Sequence, residues 1–109
     1  MDAINAFRRL FELQLEEVDR RTSENLRAFM QEKITKVRRS TEESIANALR
    51  LYETEMAKLA QMEECASPDV RDILIAPARE SIEHQMAVSV DFFKSNLKNF
   101  LAGMEQYLK

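Results

Sequence analysis

Apolar side chains recur at intervals of eleven along this chain, and that period is what most restricts its fold. Stepping from Ile4 reaches Leu15, Leu26, Val37, Ala48 and Leu59; a second track runs through Phe7, Val18, Phe29, Ser40, Leu51 and Met62. Eleven residues in three turns correspond to about 3.67 per turn, close to the 3.6 of a straight α-helix. An apolar stripe of this kind stays on one side of a helix without strong supercoiling. The period returns in Ile75, Met86, Leu97 and Leu108, and again in Ile82, Phe93 and Met104. Two stripes of matching geometry suit lengthwise packing.

Turn-formers are scarce. The 109 residues hold one glycine, Gly103, and two prolines, Pro68 and Pro77, so the chain reverses direction rarely. The expectation is an all-α protein: a long amphipathic helical hairpin, or coiled-coil-like bundle, forming a single helical domain over 1–109. The first helix is expected over about 3–62, the turn over 63–67, and the second helix over about 68–108. Ser67-Pro68-Asp69 supplies an N-cap, a first-turn proline and an acidic residue at the positive end of the helix dipole. Pro77 falls nine residues into the second helix. It lacks the N–H that Ile73 C=O would accept, so a kink or break is expected near 75–77. Ser40 and Glu43 have capping-box spacing, yet the apolar track resumes in phase at Ile45 and Ala48, so the first helix reads as continuous through 38–44.

Hairpin arms of these lengths are unequal, roughly 90 Å against roughly 60 Å. The second arm would end near the level of Thr22 to Leu26. Ile4, Phe7, Phe11, Leu15 and Val18 share one face of the uncovered segment, and Leu10 and Leu13 lie off it. These seven residues are the candidate surface or oligomer interface. A two-helix seam also buries little area against chain entropy, so self-association or an external apolar partner is expected.

Catalytic chemistry has few candidates. His84 is the only histidine; with Glu80 and Glu83 it lacks the paired Glu-x-x-His elements of a carboxylate-bridged metal site, and it reads as a solvent-exposed residue. Cys65, the only cysteine, lies in the turn far along the chain from His84 and fits a reducing compartment. One glycine cannot build a phosphate loop. The expectation is no enzyme, no metal and no cofactor. The net charge is −3, and Arg8-Arg9, Arg20-Arg21 and Arg38-Arg39 are interleaved with glutamates at ion-pair spacing, so no nucleic acid is expected. No apolar run reaches the roughly 20 residues of a membrane span, and Arg8 and Arg9 interrupt any signal-peptide core. A cytoplasmic location follows as the expectation.

Three segments carry a family resemblance. Phe11-Glu12-Leu13-Gln14 leads into a long charged helix, Ala66-Ser67-Pro68-Asp69 makes a short reversal, and Ile75-Ala76-Pro77-Ala78-Arg79-Glu80-Ser81-Ile82-Glu83 continues as an amphipathic segment. In this layout the chain resembles the phasins, bacterial proteins that coat polyhydroxyalkanoate granules. The resemblance implies an oligomer-forming, granule-associated protein that adsorbs to an apolar polymer and keeps its charged faces outward. A different class stays open beside it: a helical adaptor, chaperone or scaffold that binds a partner protein's helix through the N-terminal stripe.

Overall fold

The computed structural model describes residues 2–109. Helix α1 spans Asp2–Arg21, a 3-10 turn Glu24–Leu26 follows, and α2 spans Arg27–Glu64. A short helical turn, α3 (Pro68–Val70), runs into a π-helical turn Arg71–Ile75 and then into α4, Ala76–Met104, closed by a 3-10 turn Glu105–Tyr107. The rod measures 65 × 17 × 16 Å, its length set by the 38-residue α2. The all-α architecture expected from the periodicity is present, with long helices packed side by side and no strands among the described residues.

The first helix is not continuous over 3–62. It ends at Arg21, and the chain reverses through Thr22 and Ser23, with Ser23 extended at φ −74°, ψ 156°. Two causes act together. Thr22 turns its hydroxyl back on its own helix, donating to the Val18 carbonyl at 2.7 Å, a local bond that competes with helix continuation. The larger cause is tertiary. Folding α1 back buries Ile4, Phe7, Phe11, Leu15 and Val18, each no more than 2% exposed. Burying five such side chains is worth on the order of 10 kcal/mol as an upper figure. Breaking a helix forfeits a few backbone hydrogen bonds at about 1 kcal/mol each. Burial wins.

The α1–α2 register is regular. Arg8 bonds to Glu42, Glu12 to Arg38 and Asp19 to Gln31, so residue n of α1 lies level with residue 50 − n of α2. Asp2 therefore ends level with Ala48. One half of the rod is a three-helix body, with a core of α1 residues against Met30, Ile34, Ile45, Val90, Phe93 and Leu97. Phe7 packs on Phe11 and Phe93 with ring centroids 5.9 and 5.8 Å apart. The other half is a two-helix arm, centred on Leu59 and Ile75.

Helix α2 runs unbroken through 38–44. At its end Cys65 to Ser67 form the reversal, and the Ser67 hydroxyl accepts from the Val70 N–H at 3.3 Å, making the N-cap. Disturbance at Pro77 takes the form of one widened turn. The N–H of Ala76 bonds to the Arg71 carbonyl, five residues back, and the π segment ends just before the proline that cannot serve the Ile73 carbonyl. The apolar tracks divide accordingly. Ile4, Leu15 and Leu59 are buried and Leu26, Val37 and Ala48 half-buried, whereas Phe29, Ser40, Leu51 and Met62 of the second track are exposed.

Candidate interaction surface

Of the seven residues expected to form an uncovered surface, five are core. Ile4, Phe7, Phe11, Leu15 and Val18 are enclosed by α2 and α4 of the same chain, which corrects the picture of an unpaired N-terminal stripe. Its cause is the reversal at Thr22, which splits the expected first rod into the 20-residue α1 and the 38-residue α2 and leaves no overhang. Only Leu10 and Leu13 are exposed, at 40% and 57%.

Uncovered apolar surface lies instead at the free end of the two-helix arm. Val70, Ile73 and Leu74 form one patch there, and Ile73 is 70% exposed. Their exposure follows from local geometry: Ile73, Leu74 and Ile75 are consecutive, a helix turns about 100° per residue, and only Ile75 faces the seam, at 1% exposure. Two arginines tie the segment to the end of α2. Arg71 donates to the Glu63 carbonyl at 3.3 Å and Arg79 pairs with the Glu63 carboxylate at 2.7 Å, so both sides of the reversal are braced beneath it. Three adjacent aliphatics just ahead of a mid-helix proline were the signal for this patch in the sequence, and the eleven-residue tracks drew attention elsewhere.

Several ion pairs lie on the remaining surface. Arg20 bonds to Glu17, Lys36 to Glu32 and Arg38 to Glu12. These bonds hold the Glu17 and Glu32 carboxyls below the usual range and raise the Arg20 and Arg38 guanidiniums. All are solvent-facing ion pairs of the kind that stabilise little. His84 is exposed on α4 and Cys65 is exposed in the turn. Among the described residues no three His, Cys, Asp or Glu side chains gather where a metal could bind. No helix among them is long and apolar enough to cross a membrane.

What the arrangement defines is a class: an elongated helical bundle whose distinctive features are surfaces. No protein-family model, curated protein sequence or solved structure matches the chain.

Proposed function

We propose that this is a non-catalytic helical protein that attaches to an apolar surface by the free end of its two-helix arm. Val70, Ile73 and Leu74, contiguous and uncovered on a braced turn, are the observation that carries this reading. Their burial on contact supplies the attraction, about 25 cal/mol per Å² of apolar area. The charged flanks of α1 and α2 then project into water and keep coated particles apart. This mode suits the granule coating implied by the phasin resemblance, with the attaching residues moved from the N-terminal stripe to the hairpin end. It needs no cofactor. A lone exposed cysteine suits a reducing, cytoplasmic setting.

Mixing purified protein with polyhydroxybutyrate particles and sedimenting them tests the proposal. Wild type is expected in the pellet and Ile73→Glu, Leu74→Glu in the supernatant. Both side chains are mostly exposed, so the variant should keep its helical circular dichroism. Wild type left wholly in the supernatant would overturn the reading.

One observation favours the adaptor class as a second reading. α1 stops level with Ala48, and along the arm Tyr52 and Met56 stay half-buried where a third helix would cover them. An amphipathic helix of a partner protein would fit that place. A defined complex recovered from native lysate, lost on Met56→Lys, would support it.

A further inference from the structure

We infer that the two-helix arm is a seat for a basic amphipathic helix of a partner protein, an inference that rests on the adaptor reading and adds the chemistry of the helix it takes. The seat is defined by what α1 covers in the other half of the rod. There α2 meets α1 through Arg38 and Glu42, and α4 edges the groove beside α1 with Lys94 and Lys98. Eleven residues make about three turns and eighteen make five, so side chains at those intervals return to the same side of a helix. On α2, Leu49 follows Arg38 by eleven, Met56 follows it by eighteen, and Glu53 follows Glu42 by eleven. On α4, Glu83 precedes Lys94 by eleven and Glu80 precedes Lys98 by eighteen. All of these face the place where a third helix is missing.

The seat has an apolar wall and acidic rims. Leu49, Tyr52 and Met56 are half-buried, and a helix laid on them would remove their remaining area from water. Glu53, Glu80 and Glu83 are exposed, and none has an ion-pair partner within the chain among the described residues. Nearby cations are engaged or turned aside. Lys58 pairs with Glu55 and Arg79 with Glu63, while Arg50, one residue past Leu49, points about 100° away from it. The same imbalance holds for the whole arm. Residues 49–87 carry eight acidic and four basic side chains and the rest of the chain eleven and twelve, so the negative net charge belongs to the arm.

Charge and length select the occupant. Helix α1 meets the α2 rim with opposite charges, Arg8 against Glu42 and Glu12 against Arg38. A helix lying end to end with α1 and continuing that pattern sets a cation against Glu53, and others against Glu80 and Glu83 across the groove. An acidic helix would place like charges at each of these glutamates, and the arm of a second copy would bring acid to acid. Beyond the end of α1, α2 continues from Ala48 to Glu64, roughly 24 Å, the length of a helix of about sixteen residues. That seat is shorter than the 20-residue α1 and its rims are solvated, so the complex is a transient one of micromolar affinity.

Fluorescence anisotropy of the full chain with labelled peptides of about sixteen residues is the test. Two peptides share a leucine stripe on an alanine and glutamine background; one carries lysines on both flanks of the stripe and the other glutamates. The lysine peptide should bind saturably at micromolar concentration, and the glutamate peptide at least about tenfold more weakly. Glu80→Lys combined with Glu83→Lys should reverse that order with helical circular dichroism unchanged, because both side chains are exposed. A scrambled lysine peptide, its leucines spread over all faces, should not bind; equal binding would reduce the contact to charge alone and overturn the seat. If neither ordered peptide bound, the seat and the adaptor reading would fall together. Equal affinity for the two, or indifference to the double reversal, would overturn the basic partner while a helix seat remained.

Discussion

The N–H of Lys109 donates to the carbonyl of Arg21 across 3.2 Å, joining the last residue of the chain to the last residue of the first helix. The contact is reciprocal: Arg21 Nε donates to the Lys109 carbonyl at 2.9 Å, its guanidinium also pairs with Glu105 at 3.0 Å, and Thr22 and Leu108 form an isolated antiparallel bridge. The reversal that converts a long rod into a bundle is therefore fastened by residues eighty positions or more away.

Removing Leu108 and Lys109 should loosen this fastening without dissolving the core. One backbone bond and one guanidinium bond to Arg21, at about 1 kcal/mol each, and a half-buried leucine are lost. Urea denaturation is expected to show a decrease of about 2–3 kcal/mol, and amide exchange should quicken at Thr22 to Asn25. Unchanged exchange there would show that α1 is held by its apolar face alone.

Phe7→Ala and Phe11→Ala should each cost about 3–5 kcal/mol, since both rings are fully enclosed. With total stability of a domain typically about 5–15 kcal/mol, the double variant should have lost its cooperative melt. Glutamate at either position should unfold the protein rather than merely disperse an oligomer, which thermal melting by circular dichroism distinguishes from a folded monomer.

Arg8→Met should change stability by less than about 1 kcal/mol. The Arg8–Glu42 bridge is long at 3.3 Å and partly exposed, and Arg8 Nε is enclosed with no hydrogen-bond partner. Trading an imperfect ion pair for apolar packing is commonly neutral. A loss near that of Phe7→Ala would mean that the bridge anchors α1.

Pro77→Ala returns an N–H to the Ile73 carbonyl, so the π turn over Arg71–Ile75 is expected to relax into α-helix. One residue fewer per turn rotates the preceding side chains by about 100° and breaks up the Val70, Ile73, Leu74 patch. The variant should melt no lower than wild type and sediment less with polymer particles.

Acidification offers a check on the surface pairs. The Glu17 and Glu32 carboxyls are lowered in the folded chain, first by their hydrogen bonds to Arg20 and Lys36. Their contribution is complete above the ordinary carboxylate value and is lost as pH falls through the lowered one. Both are fully solvated, so helical signal should be flat near neutrality and decline only modestly in acid. Molar salt, which shortens the screening length to about 3 Å, should reduce that decline.

Much of the local structure was legible residue by residue. Scarcity of glycine and proline dictated long helices, Ser67 and Pro68 marked the start of the second arm, and Pro77 marked its defect, because capping and the missing proline N–H act within one turn. Nothing local marked Thr22 strongly enough. An eleven-residue stripe looks the same on a sixty-residue rod and on two helices folded together, since periodicity records which side is apolar and not what covers it. That choice rested on burial energy between segments as distant as Phe7 and Phe93, and it alone decided that the N-terminal stripe became core while the arm's end and the outer face of α4 stayed uncovered.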